Sequence, residues 1–156
     1  TMTDGMVALD TNILMYVHDA GNARRQARAA EIVLRAAPAG GVLAQQVLGE
    51  FVHASRRLRE MPRTALAGIV AGMRASFDVV AATPTDFDAG LDAHVEHGIP
   101  FWDALIWATV RSAGCRWLLT EDYQDGRTMG GVTFVNPFAP ANDALVDRIL
   151  PPVSVA

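Results

Sequence analysis

The sequence predicts an α/β domain with a central, mostly parallel sheet of about five short strands flanked by helices. Two observations carry that prediction. Short apolar runs alternate with amphipathic stretches, so the hydrophobic period switches repeatedly between two and about 3.6 residues. Turn residues punctuate the switches: Pro38-Ala39-Gly40-Gly41, Gly98-Ile99-Pro100 and Gly114 each fall where the period changes. A length of 156 residues suits one domain over 1–156, burying about two-thirds of its unfolded surface in a single core. The sequence holds no repeat, no low-complexity tract and no linker long enough to divide it.

The elements follow in order. Met6-Val7-Ala8-Leu9 reads as a strand over 6–9 closed by Asp10, with a helix over 12–19 behind it. Asn22 is placed to cap a helix over 23–37, which the Pro-Gly run ends. A strand at 42–44 feeds a helix over 46–60, on which Val47, Leu48, Phe51, Ser55 and Leu58 form the buried stripe and Glu50 the flank. Helices over 63–76 and 85–97 bracket a strand at 78–82. A helix over 102–114 carries Asp103 at its start; strands follow at 116–120 and 132–135, and a helix over 141–149 comes last.

Composition narrows the function classes. No apolar run approaches the roughly 18 to 20 residues that a membrane span requires, so no membrane role is expected. The net charge of -4 argues against a general nucleic-acid coat, because nonspecific phosphate binding is driven by basic surface. It does not exclude a nuclease, since a bound cation offsets the charge of a carboxylate site. All 13 basic residues are arginine, which suits phosphate forks and equally fits a GC-rich genome. The single cysteine, Cys115, cannot bridge internally, and with no leader-like N-terminus the chain reads as a soluble protein of a reducing cytoplasm.

Four acids stand where this fold can aim them: Asp10, Glu50, Asp103 and Asp122. From Asp103 to Gly114 a helix rises about 16 Å, and a strand from Arg116 to Glu121 returns about 16 Å, so Asp122 comes back to the edge that Asp103 left. That is the carboxyl edge of the strands, where open α/β sheets hold their ligands, and Asp10 ends its strand there too if the sheet is parallel. Glu50 falls in the second turn of a helix that rises from the same edge. Two unit charges about 5 Å apart repel by roughly 3 kcal/mol at an effective dielectric near 20. The cluster therefore holds protons or a cation. Oxygen-only ligands, without cysteine or a histidine pair, point to Mg2+, with Mn2+ as the alternative.

Taken together these residues resemble the PIN-domain ribonucleases, and among them the VapC-type toxins of bacterial toxin-antitoxin pairs. The resemblance rests on Leu9-Asp10-Thr11-Asn12, Gln46-Val47-Leu48-Gly49-Glu50-Phe51, Phe101-Trp102-Asp103-Ala104 with Trp107-Ala108, Leu119-Thr120-Glu121-Asp122 and Asn136-Pro137-Phe138. Each is weak alone; in this order, with the right elements between them, they are specific. The resemblance implies that Asp10, Glu50, Asp103 and Asp122 are catalytic and hold one or two Mg2+ ions. It implies that Thr11, Asn12 and Thr120 orient those carboxylates. Asp125 is an alternative to Asp122 as the fourth acid, because spacing alone does not say which one turns inward. The activity implied is hydrolysis of a structured cellular RNA to 5'-phosphate and 3'-hydroxyl ends. The partners implied are a cognate antitoxin whose C-terminal segment lies in the acidic cleft, and a second copy of the chain. The apolar positions Ala65, Leu66, Ile69, Val70 and Met73 supply either that dimer face or core. The alternative function is a catalytically silent PIN-fold module that docks a protein through its acidic cleft.

Arg24, Arg25 and Arg28 could guide an RNA backbone, although Glu31 and Arg35 suggest a charge-paired helix surface. Arg56, Arg57 and Arg59 carry the same two readings. His18, His53, His94 and His97 lack metal-ligand spacing and read as surface or partly buried histidines. Trp102 and Trp107 are expected in the core, and Cys115 is expected to be a small buried apolar residue.

Overall fold

The computed structural model describes residues 5–58 and 60–153. Apolar runs become strands at Met6–Leu9 (β1), Val42–Ala44 (β2), Asp78–Val80 (β3) and Cys115–Leu119 (β4), followed by a short hairpin of Thr128–Met129 (β5) and Val132–Val135 (β6). Amphipathic stretches become α1 (Thr11–Val17), α2 (Ala23–Ala36), α3 (Gln45–Ala54), α4 (Arg63–Ser76), α5 (Pro84–His97), α6 (Phe101–Ser112) and α7 (Asp143–Ile149). The strands form one sheet in the order β3-β2-β1-β4-β6-β5. Every pairing is parallel except β5 with β6. No helix among the described residues is long and apolar enough to cross a membrane.

The two central strands are buried on both faces, as parallel strands covered by helices are: Val7, Ala8, Leu9, Leu118 and Leu119 all belong to the core. Helix α2 closes one side with Ala29, Ile32 and Ala36, at helical spacing. Helix α6 has seven consecutive buried residues, from Ala104 to Val110, because α5 covers it on the outside. Those two helices approach closely at Gly90, where a Cβ would lie 3.1 Å from the Leu105 Cα. Helix α5 begins with a reciprocal cap, Thr83 Oγ1 accepting from Asp86 N and Asp86 Oδ2 accepting from Thr83 N, and ends on Gly98 at φ 68°.

The sheet places the functional edge. The chain runs outward from β1 through β2 to β3, then crosses back to β4 on the other side of β1, so the strand order reverses between β1 and β4. At such a switch point the loops leaving neighbouring strands diverge and open a crevice. Leu9 pairs with Leu119, and the Asp10 N–H continues the ladder to the Leu119 carbonyl at 3.0 Å. Asp10 and Thr120 therefore leave the sheet at the same level.

Several expectations need correction. The sheet has six strands, the extra one being the two-residue β5. The helix expected over 46–60 stops at Ala54 and tightens into a 3-10 turn, Ser55–Arg57; Ser55 Oγ donates to the Val52 carbonyl at 2.7 Å and the Leu58 N–H reaches back to Ser55 at 2.9 Å. Arg59 lies outside the described residues, as do 1–4 and 154–156. Strand β3 ends at Val80 rather than 82, since the chain must turn to place Thr83 as the cap of α5. Trp107 is in the core, with its indole N–H donating to the Met129 carbonyl at 2.9 Å. Trp102 is not: it is 63% exposed, because a first-turn position on α6 projects away from the sheet. Helix α4 has no fully buried residue, and Leu66, Ile69, Val70 and Met73 only half-bury against the core.

Candidate active site

Asp10 follows β1 directly and caps α1, its Oδ1 accepting from the Thr11 N–H at 2.7 Å and its Oδ2 from the Thr120 hydroxyl at 2.7 Å. It is 2% exposed. Burial pushes its carboxyl up to about 7, against the two hydrogen bonds and with help from the charges of Asp122 and Asp103. Opposite, Glu50 on α3 accepts from the Thr11 hydroxyl at 2.6 Å and from Gln46 Nε2 at 3.0 Å. The same Gln46 amide donates to the Trp102 carbonyl at 2.9 Å, tying α3 to the first turn of α6.

Asp103 sits in that first turn, half-buried. Burial, then the charges of Asp122 and Glu50, push it up to about 6. Asp122 is exposed on the loop after β4, where its N–H donates to Thr120 Oγ1 at 3.1 Å. Thr120 thus holds Asp10 through its hydrogen and the Asp122 backbone through its lone pair. The Tyr123 hydroxyl donates to the Asp103 main-chain carbonyl, and its ring stacks on Phe134 with centroids 4.5 Å apart. Burial raises this phenol strongly, and the charges of Asp10, Asp103, Glu50 and Asp122 all add to the rise. One tyrosine feels the charge of all four acids, so they lie near one another at this edge of the sheet.

Asp125 faces elsewhere. Its carboxylate accepts from the Asn136 N–H at 2.9 Å and from Asn142 Nδ2 at 3.0 Å, which pins the loop instead of entering the cleft. Arg25 pairs with Glu121 at 3.0 Å, and Arg28 with Glu31 and Asp143, both at 3.3 Å; the charge-paired reading holds for these two. The sequence singled out neither Gln46 nor Tyr123 as a site residue. Both are neutral side chains, and their only sequence signal is adjacency, one turn before Glu50 and one residue after Asp122.

The arrangement fits a hard divalent cation. No basic side chain forms an ion pair with any of the four acids among the described residues. Both amide atoms of Asn12 and the Oε1 of Gln46 are buried there without hydrogen-bond partners, and such orphaned groups call for a ligand or water. The ligand atoms that Asp10, Glu50, Asp103 and Asp122 offer are all carboxylate oxygens, the preference of Mg2+ or Mn2+. Among the described residues no three acidic, histidine or cysteine side chains are close enough as placed to hold a metal ion together.

The class these features define is an α/β domain with a carboxylate cleft at its topological switch point. The chain belongs to the PIN domain family, whose sequence pattern it matches over residues 7–127. No curated protein sequence matches it. Solved structures share the fold. Mycobacterium tuberculosis VapC20, described as a sarcin-ricin loop cleaving toxin, is 23% identical with a TM-score of 0.61 and covers 74% of this chain and 91% of its own. A toxin-antitoxin complex from Klebsiella pneumoniae is 17% identical with a TM-score of 0.58, covering 84% and 97%. VapBC2 from Rickettsia felis, bound to a promoter DNA fragment, is 11% identical with a TM-score of 0.59, covering 83% and 96%.

Proposed function

We propose that this protein is a Mg2+-dependent endoribonuclease of the VapC type, the toxin of a toxin-antitoxin pair, acting on a structured cellular RNA in the cytoplasm. The observation that supports the reading is the gathering of Asp10, Glu50, Asp103 and Asp122 at one edge of the sheet, with no basic side chain in an ion pair with any of them among the described residues. The PIN membership and the toxin-antitoxin neighbours support it. Mn2+ is the alternative metal.

A bound cation would supply charge neutralisation for the phosphate and an activated water. The residues do the rest. Asp10 and Glu50, each held by two hydrogen bonds, are the fixed carboxylates; Asp103 and Asp122 complete the set, and Asp122 rather than Asp125 is the fourth acid. Thr11, Thr120 and Gln46 fix the orientation of Asp10 and Glu50, while Asn12, next to Thr11, has a buried amide without a partner. The products are 5'-phosphate and 3'-hydroxyl ends. A cognate antitoxin would silence the enzyme by laying a basic segment into the cleft, where an arginine fork answers the carboxylates. A homodimer is part of the same reading.

The test is induction of the protein in cells, with sequencing of newly formed 5'-monophosphate RNA ends, beside Asp103→Asn. Sharp ends made by the wild type and missing from the variant are expected. Identical end profiles, with antitoxin binding intact in both, would instead identify a silent docking module.

A further inference from the structure

A cavity of about 200 Å3 opens at Asp103 and Asp122. Asp103, Asp122, Pro100, Tyr123 and Phe134 line it, and Arg127 is the only basic residue in its lining. Arg127 is half-buried, and among the described residues its side chain has neither an ion pair nor a hydrogen bond. The other half-buried arginines are engaged: Arg25 with Glu121, Arg28 with Glu31 and Asp143, Arg35 with Glu31 and Asp147, and Arg111 over the Trp107 ring at 4.6 Å. The Arg127 guanidinium keeps contact with water and is free to meet an incoming acceptor.

The root of Arg127 is fixed. Its N–H donates to the Gln124 carbonyl at 3.2 Å, its carbonyl accepts from the Phe134 N–H at 2.9 Å, and Asp125 ties the same loop to Asn136 and Asn142. The side chain is therefore delivered to the cavity by a pinned loop that also carries Asp122. An RNA strand crossing this cleft meets a problem at the next phosphate. The metal would neutralise the phosphate being cut, whereas its neighbour would face the outer side of Asp103 and Asp122 with nothing to offset their charge. Arg127 stands on that side, and its planar fork matches two phosphate oxygens.

We propose that Arg127 is a positioning residue that grips the phosphate adjacent to the one hydrolysed, seating the RNA backbone across the carboxylate cleft. The inference rests on the ribonuclease reading. It is tested by the anisotropy of a short fluorescein-labelled oligouridine, titrated in Mg2+ over a range of salt. The parent is Asp103→Asn, which keeps the strand intact, and Arg127→Gln, Arg127→Lys and Arg74→Gln are added to it. Arg74 is exposed on α4 and removes the same charge elsewhere.

Arg127→Gln is expected to weaken binding about tenfold, a charged hydrogen bond's worth, and to make the slope of log affinity against log salt shallower by about 0.7. Arg127→Lys should keep the slope and recover part of the affinity; a purely structural role for Arg127 would leave the slope unchanged. Equal behaviour of Arg127→Gln and Arg74→Gln would overturn the inference alone, provided the wild type makes RNA ends in cells. A parent that does not bind, together with a wild type that makes no ends, would overturn the ribonuclease reading and this inference with it.

Discussion

The two halves of the cleft are built differently. On the side of β1 and α3, Asp10 and Glu50 each accept two hydrogen bonds, from Thr11 and Thr120 and from Thr11 and Gln46. On the side of α6 and the loop after β4, the carboxylates of Asp103 and Asp122 accept no hydrogen bond among the described residues, and Asp122 is exposed. One half is held before anything binds; the other is left free to meet what binds. In the proposed metal-dependent reading, the tied pair would supply precision and the free pair would adapt to the cation and the substrate.

The largest effect should come from the tied half, through acidity. Asp10 sits near 7 in the folded state against an ordinary 3.8, so between those values the native protein holds a proton that the unfolded chain has lost. Its contribution to stability is present below about pH 4 and is lost as pH rises through 7, on the order of 4 kcal/mol as an upper bound. Asp103, raised to about 6, acts in the same direction, weakened by solvent. Urea unfolding of chelator-treated protein should therefore show stability falling from pH 5 to pH 8, and Mg2+ or Mn2+ at about a hundred times its dissociation constant should restore about 2.7 kcal/mol at pH 8. A flat profile without metal would mean that Asp10 is not confined as described.

The next effect isolates one tie. Thr120→Val removes the hydroxyl that holds both Asp10 and the Asp122 backbone, and should lower cleavage or metal affinity by about ten- to a hundredfold, read by calorimetric titration with Mn2+. A loss no greater than that of a distant core substitution would erase the distinction between the halves. The smallest effect sharpens it from outside. Asp125→Ala should cost about 1 kcal/mol by thermal unfolding, from the bonds to Asn136 and Asn142, and leave Mn2+ affinity unchanged. Lost metal binding would return Asp125 to the cleft.

The tied half was partly legible in the sequence, because an aspartate after an apolar run, followed by threonine and asparagine, has few places to go. The helices were legible for a similar reason: Asn22 caps α2, and Gly98 with Pro100 separates α5 from α6. What escaped was direction. Spacing could not say that Asp122 and not Asp125 borders the cleft, because two acids on one loop differ only in which way the backbone turns them. Apolar character could not say that Trp102 points outward while Trp107 points inward; only the face of α6 against the sheet decides that. Strand β5 escaped because two residues before Gly130-Gly131 carry no period at all. Gln46 escaped because a neutral amide reveals its role only when both of its partners, Glu50 and the Trp102 carbonyl, are in place.

The pairing of Leu9 with Leu119 makes the chemistry of this protein a matter of reading frame. Asp10 and Thr120 meet only because two strands end in step, and a strand's side chains alternate in direction with every residue. Adding or removing a single residue within β1 or β4 would turn Thr120 or Asp10 to the opposite face while leaving every acid in the sequence. The same change at the Gly130-Gly131 turn would disturb the hairpin and the Trp107 indole bonded to the Met129 carbonyl, and would leave the pairing of Leu9 with Leu119 in step. The meeting of Asp10 with Thr120 thus depends on the spacing from each strand to its end as much as on the identity of the two residues.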